Sequence, residues 1–523
     1  MGMYLDPDHE AFSQALRNPI YVDKSLLLDY TNQLIGTADC KLCVSRPRRF
    51  GKSTDANMLS AYYSCGNDAS PLFSALNISS KESYHAHLNR YHVIHLNMQN
   101  FLSRTGNVEG MLAYLTALLL REIRVVFPNT DLFDEKNLPS ILEDTYVQHD
   151  ASFVFVIDEW DCIFREYKDD EKGQKKYLDF LRDLLKDKPY VKLAYMTGIL
   201  PIKKYGTHSA LNMFDEISMI DAGPLSDFMG FTETEVKDLC DAYHIDYAEM
   251  KHWYDGYHLT EDRFTFSPRS VVMAIRRRKF GSYWTNTETY EALRRYIDMN
   301  LQGLKDDIVR LLAGDRITIN ANQFQNDMTS LHSKDDVLTL LVHLGYLSCT
   351  HSENDTIVNV PNREIMESFI DSVENSSWDS ISDLLIRSDE LLKATWDMDE
   401  EKVAHIIEDV HLDTSVLTYN NENALSYVLS IAYIAARNEY TMVRELPAGK
   451  GFADIAFIPR GDKPAMLVEL KWKLDADTAL NQIKSKQYPH ALEQYQERLL
   501  LVGISYDRKN KRHRCRIEWY KKS

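Results

Sequence analysis

The segment Arg46-Pro-Arg-Arg-Phe-Gly-Lys-Ser53 constrains this chain more than any other. Residues 39–45 before it read as a strand, and a helix pattern runs from Lys52 to about Tyr63 after it. A strand that turns into a helix through Gly-Lys-Ser makes a seat for a polyphosphate. Backbone N–H groups at the helix start point at the anion, and the helix dipole adds to their attraction. Gly51 lets the backbone come close, Lys52 would reach the β- and γ-phosphates, and the Ser53 hydroxyl would hold Mg2+. Arg49 and Thr54 complete the candidate nucleotide-binding set. One position departs from the GxxxxGK[ST] pattern: Arg46 stands where the first glycine is usual.

The surrounding pattern agrees with a buried parallel sheet. Residues 92–97 alternate as a strand, 108–126 read as a helix, 152–158 are a continuous apolar strand, 172–186 a helix and 191–197 another buried strand. Strands alternating with helices predict an α/β domain with a parallel sheet. The strand Val154-Phe-Val-Ile-Asp-Glu159 ends in two acids. Asp158 is expected to bind Mg2+ beside Ser53, and Glu159 to polarise the attacking water. Thr197 ends the next strand, where a polar group would sense the γ-phosphate. A nucleotide held with Mg2+ is therefore the expected ligand.

After about Gly223 the pattern becomes mostly helical. Thr232-Glu-Thr-Glu235 predicts a capping box. Residues 334–344 read as a helix, 346–349 and 356–360 as a hairpin and 362–373 as a helix, an order that suggests a winged-helix-like module with no ligand assigned. A second α/β unit follows. A helix over 424–436 precedes strands at 441–446, 452–458 and 465–471, a helix at 476–488 and strands at 499–506 and 514–520. The expected domains are 1–225, 226–400 and 401–523.

In the last unit Asp454 lies on one strand pattern, and Glu469 and Lys471 lie two apart on the next, hence on one face. A hairpin would bring the three together. Glu422, at the start of the preceding helix, and Gln482, on the following one, would support them. Carboxylates around one point bind a hard divalent cation, here Asp454 and Glu469 with Mg2+. The lysine would activate water or stabilise charge on a phosphate. Acid-x-Lys pairs also occur on solvated strands, and the pattern alone suits either.

Charge is uneven. The chain carries 60 Lys+Arg and 78 Asp+Glu, a net −18, which opposes nonspecific nucleic-acid binding by the whole molecule. Residues 451–523 alone hold 15 basic and 9 acidic side chains, so the remainder carries −24. The run from Asp507 through Arg516 fits a confined contact with a phosphate backbone, or a solvated turn with basic flanks. No apolar stretch approaches the roughly 20 residues of a membrane helix. The first residues show neither a secretory signal nor, with Asp6 in place of Ser or Thr, a myristoylation motif. A soluble cytoplasmic protein with no membrane partner is expected, and a homo-oligomer is compatible with the sequence. Cys40 and Cys43, a lone CxxC, read as two strand residues rather than a metal or redox site.

Taken together, the chain resembles bacterial proteins with an N-terminal AAA-ATPase-like domain and a C-terminal PD-(D/E)XK nuclease-like domain. The resemblance rests on Tyr21-Val-Asp-Lys-Ser, Arg46 to Ser53, Val156-Ile-Asp-Glu-Trp-Asp161, Thr197-Gly-Ile, Gly230-Phe-Thr-Glu-Thr-Glu-Val and Trp253-Tyr-Asp-Gly-Tyr257. It continues in Glu445-Leu-Pro-Ala-Gly-Lys-Gly-Phe-Ala-Asp454, Val468-Glu-Leu-Lys-Trp, Gln482-Ile and Leu501-Val-Gly-Ile. It implies a P-loop NTPase sheet of AAA/ASCE type, ATP at Lys52 and Ser53 with Asp158 and Glu159 as acids, and a metal-dependent nuclease-like centre at Asp454, Glu469 and Lys471. Arg46 is how that family's loop usually reads. Many members carry Arg at the position of Phe452, so no role of that arginine carries over. The expected activity is ATP binding and hydrolysis that gates a Mg2+-dependent nuclease-like domain acting on nucleic acid. The alternative is a non-catalytic ATP switch whose nuclease-like domain only binds nucleic acid or protein.

Overall fold

Strand β1 (Lys41–Ser45) lies inside a five-stranded parallel sheet with β2 (His92–Asn97), β3 (Phe153–Asp158), β4 (Val191–Gly198) and β5 (Asp215–Ile217), in the order β2-β3-β4-β1-β5. This is the expected parallel sheet, with β4 inserted between the strand leading to Gly-Lys-Ser and the strand ending in acids. The computed structural model describes residues 2–202, 204–205, 208–209, 211–260, 263–284, 296, 299, 301–324, 331–352, 355–374, 379–413, 428–448, 451–472, 475–507, 510 and 512–521. It divides into two units, Met1–Glu288 with Thr318–Glu367, and Thr289–Ile317 with Ser368–Ser523. Among the described residues no helix is long and apolar enough to cross a membrane.

Every residue of β3 is buried, which is why its sequence is apolar without alternation. Helix α1 (Lys52–Tyr63) is buried along most of its length, whereas α2 (Val108–Val126) and α3 (Glu171–Leu185) keep a solvated face. Asn107 and Asp170 cap α2 and α3 by accepting N–H groups of Gly110 and Gly173. The register aligns the carboxyl ends of the strands: Asn97 beside Asp158, Asp158 beside Thr197, Ser45 beside Gly198. Ligands of open parallel sheets sit at that end. Cys40 and Cys43 are buried at β1, as two packing residues.

Arg46 is 1% exposed. Its guanidinium pairs with the Asp55 carboxylate on α1. It also donates to the Tyr195 hydroxyl on β4 (3.3 Å) and to the carbonyls of Phe50 (3.4 Å) and Phe228 (2.6 Å). The side chain that replaces the usual glycine is thus an internal strut.

Beyond the sheet, the capping box opens α4 (Glu233–Tyr243): Glu235 N–H reaches Thr232 Oγ1 at 3.4 Å, and Thr232 N–H reaches the Glu235 carboxylate at 2.7 Å. A small antiparallel sheet not foreseen in this mostly helical region joins β6 (Phe231–Thr232), β7 (Tyr257–Thr260) and β8 (Arg263–Phe266) in the order β6-β8-β7. Its strands span two to four residues, too short for a period to register. Helix α5 (Lys334–Leu344), the hairpin β9 (Ser348–Ser352) and β10 (Asp355–Asn359), and α6 (Arg363–Glu374) follow in the winged-helix-like order.

The second unit holds a sheet of β11 (Tyr440–Ala448), β12 (Gly451–Pro459), β13 (Ala465–Trp472), β14 (Leu499–Asp507) and β15 (Arg512–Trp519), in sequential order. All neighbours are antiparallel except β13 and β14, whose parallel pairing needs a crossover; helix α7 (Ala476–Ser485) lies in it. A Cβ on Gly503 of β14 would stand 2.5 Å from the Ala476 carbonyl, so glycine sets how closely α7 lies on the sheet. The first part of the expected helix over 424–436, and Glu422 with it, lies outside the described residues. Along β15, Arg512, Arg514 and Arg516 are exposed while His513, Cys515 and Ile517 are buried.

His513 is buried against His411, Nε2 to Nδ1 at 3.0 Å. Burial, then the neighbouring imidazole, lowers the His513 pKa to about 3, and burial also lowers that of His411. The unfolded chain takes up these protons near the ordinary value of 6.5, so the neutral pair stabilises the fold above that pH and loses its contribution as the pH falls toward about 3.

Arg46→Gly, although it restores the usual glycine, lowers the unfolding free energy by about 3–5 kcal/mol in urea titrations, because Asp55 is left buried without its partner. Adding Asp55→Asn to that variant costs little more. Lowering the pH from about 7 to about 5 destabilises the wild type by about 2 kcal/mol through His513, and His513→Phe flattens that dependence.

Candidate functional site

The carboxyl ends of the first sheet open on a cavity of about 1140 Å3 whose wall includes Arg49, Gly51, Lys52, Ser53, Thr54 and Glu159. Gly51 caps α1 at φ 88°, in the left-handed region, with open space where a Cβ would be; backbone conformation is what requires glycine there. Arg49, exposed on the turn, also has positive φ, 67°. Ser53 Oγ donates to Asp158 Oδ2 at 2.8 Å, and Asn97 Nδ2 donates to the same oxygen at 3.3 Å. Two hard oxygen donors side by side at the start of α1 fit a small divalent cation.

Lys52 is 5% exposed, and its ammonium donates to the carbonyls of Arg46 (3.0 Å) and Pro47 (2.9 Å). Burial pulls its pKa down to about 8, against the attraction of Glu159, Asp161 and Asp158. Glu159 has φ 55° and pairs with Arg165, which also donates to Asp161 at 3.1 Å. Burial, then the Asp161 charge, raises the Glu159 pKa, while Arg165 and Lys52 oppose the rise. Thr197 is not brought to the cavity. It is fully buried, and its hydroxyl donates to the Val44 carbonyl at 3.1 Å, which braces β4 against β1.

The wall also holds Arg48, Arg165, Arg269 and Arg276, which sequence reasoning missed. Burial and the nearby charges of Arg49, Arg276 and Arg277 lower the Arg269 pKa, so cations crowd one side of the cavity. A bound anion relieves that repulsion. Arg269 and Arg276 fall on a helix over two hundred residues after Gly-Lys-Ser, so no local motif links them to it.

In the second unit the pairing of β12 with β13 runs from Phe457–Met466 to Ile455–Val468. One residue beyond, Asp454 Oδ2 accepts the Leu470 N–H at 2.7 Å. Lys471 Nζ donates to Glu469 Oε1 at 3.0 Å and to the Leu470 carbonyl at 2.9 Å. Gln482 Nε2 donates to the same Glu469 oxygen, and to the Tyr488 hydroxyl at 3.3 Å. Asp454, Glu469, Lys471 and Gln482 are therefore brought together. Glu469 is 1% and Lys471 9% exposed, so their shared face is interior and not a solvated strand. Glu469 Oε2 is buried with no hydrogen-bond partner among the described residues. Burial, then the Asp454 charge, raises the Glu469 pKa to about 7, with Lys471 opposing. An orphaned carboxylate oxygen beside a second carboxylate suits a divalent cation held by Asp454 and Glu469. Tyr488, which completes the hydrogen-bond chain through Gln482, was missed; a tyrosine after a helix carries no signal of its own.

Comparison with known proteins agrees with this division. A family model described as predicted AAA-ATPase matches residues 11–207, and one for the PD-(D/E)XK nuclease superfamily matches residues 421–517. An uncharacterized protein in the vnfD 5' region of Azotobacter chroococcum mcd 1 is 27% identical over 276 residues, 51% of each chain, so this chain spans about half the length of that relative. The structure of the Aeropyrum Pernix ORC2 protein in ADPNP-ADP complexes covers 70% of this chain and 98% of its own at 12% identity, with a TM-score of 0.28, which carries no argument by itself. The chain thus joins a domain of the AAA-ATPase-like family, over residues 11–207, to a domain of the PD-(D/E)XK nuclease superfamily, over residues 421–517.

Proposed function

We propose that the chain binds and hydrolyses ATP with Mg2+ at Lys52, Ser53 and Asp158, and that its nucleotide state gates a Mg2+-dependent phosphodiester hydrolase centred on Asp454, Glu469 and Lys471, acting on nucleic acid in the bacterial cytoplasm. The observation that carries this reading is the orphaned Oε2 of Glu469, on a buried carboxylate whose other oxygen accepts from Lys471 and which feels the charge of Asp454. The arginine-lined cavity that reaches Ser53, whose hydroxyl is bonded to the buried Asp158, supports the nucleotide half. Bound Mg2+ would supply a Lewis acid at each centre.

At the first centre the N–H groups of α1 and Lys52 hold the phosphates, and Glu159, once released from Arg165, takes a proton from water. At the second, Lys471 offers positive charge to the scissile phosphate, and Gln482 fixes the Glu469 carboxylate. The exposed Arg512 and Arg514 of β15 suit a phosphate backbone. The domain limits 1–225, 226–400 and 401–523 belong to this proposal.

A second reading is a switch that binds ATP without turnover. It is favoured by the engagement of Glu159 with Arg165 and of Lys52 with two carbonyls.

Lys52→Ala is expected to weaken ATP binding by about 1.5–3 kcal/mol, roughly ten- to a hundredfold in Kd by calorimetry. Glu159→Gln keeps binding and slows phosphate release by about 10²–10⁴-fold. Wild-type binding with no phosphate release selects the switch reading. Lys471→Ala abolishes cleavage of a nucleic-acid panel in Mg2+ or Mn2+ and leaves ATP affinity unchanged; no cleavage by the wild type under any nucleotide condition overturns the nuclease claim.

A further inference from the structure

Away from both centres, three side chains from distant parts of the first unit meet. Asp6 Oδ2 lies 2.7 Å from His92 Nδ1, Cys65 Sγ lies 3.4 Å from the same nitrogen, and Cys65 Sγ lies 3.9 Å from Asp6 Oδ2. Among the described residues no other trio of His, Cys, Asp and Glu converges this closely. We propose that Asp6, Cys65 and His92 bind a divalent cation of the zinc class, with solvent in the fourth position.

The donor set is one oxygen, one nitrogen and one sulfur, the mixture that borderline-soft divalent cations take. Tetrahedral zinc with its usual bond lengths separates such donors by about 3.5 Å, and the three distances here bracket that value. A single proton on Nδ1 serves one acceptor well, whereas a cation satisfies all three donors.

The positions of the donors are fixed by backbone bonds, not only by one another. Asp6 N–H donates to the Val93 carbonyl and Asp6 Oδ1 accepts the Val93 N–H, both at 2.8 Å. Cys65 N–H donates to the Tyr91 carbonyl at 2.8 Å. Asp6 holds φ 50°, so its carboxylate is presented from a conformation few residues adopt. Asp6 is buried while Cys65 is exposed, which gives a metal a path from solvent.

The location gives the site a purpose. Helix α1 begins at Lys52 and ends at Tyr63, two residues before Cys65. Strand β2 begins at His92 and ends at Asn97, beside Asp158. A metal here clamps the far ends of the two elements whose near ends meet at the cavity, and ties the N-terminal segment to them.

The test uses full-length protein stripped of metal and titrated with Co2+. The six other cysteines are buried, so a thiolate-to-cobalt absorption band reports on Cys65. One Co2+ per chain with that band, displaced by Zn2+, is expected for the wild type. Cys65→Ser loses the band, and His92→Gln weakens binding by about tenfold or more. Zn2+ raises the thermal midpoint of the wild type and not of Cys65→Ser, with folding of each variant checked by circular dichroism. No thiolate band at saturating Co2+ overturns the proposal, as does a band of wild-type strength in Cys65→Ser. Either result leaves Asp6 and His92 as an ion pair only, and neither bears on the ATP or nuclease reading.

Discussion

A guanidinium shut away from water is tolerable only where acceptors surround it, and the acceptors of Arg46 belong to four different parts of the fold. Asp55 is on α1, Phe50 in the turn, Tyr195 on β4 and Phe228 beyond β5. The turn that carries Gly51, Lys52 and Ser53 is therefore cross-linked from beneath. In the usual pattern a glycine at this position lets the loop bend. Here the bend is supplied by Arg49 and Gly51, both at positive φ, while Arg46 provides rigidity. The positions of Ser53 beside Asp158 and of Lys52 at the cavity follow from that anchoring.

The two centres solve one electrostatic problem in the same way. Each buries a lysine against acids, and each gives the ammonium local backbone carbonyls to hold: Arg46 and Pro47 for Lys52, Leu470 for Lys471. Burial works against the charge of Lys52 and of the acids Glu159 and Glu469. Interior carboxylates in this state gain from any cation that arrives, and the crowded arginines of the cavity wall gain from any anion.

Much of this was legible because the patterns are local and long. Helices Lys52–Tyr63, Val108–Val126 and Lys334–Leu344, and strand His92–Asn97, stand where periodicity puts them. Glu469 and Lys471 were placed on one face by strand alternation, yet only the tertiary structure shows that face to be interior. For Thr197, near the end of its strand, the sequence does not say which way the hydroxyl turns; the structure bonds it to the Val44 carbonyl. The three-residue β5 and the short strands around β7 are too brief for a period. Arg269, Tyr488 and the Asp6–Cys65–His92 trio are joined by folding alone, across separations that no spacing rule bridges.

The sheet order has a consequence for biosynthesis. β1 is flanked by β4 and β5, both of which come far later in the chain. Until residues 191–217 have been made, the segment around Gly51 lacks these neighbours, and Arg46 has no Tyr195 to meet. The nascent cradle must wait, its apolar flanks uncovered, until translation has passed Gly198.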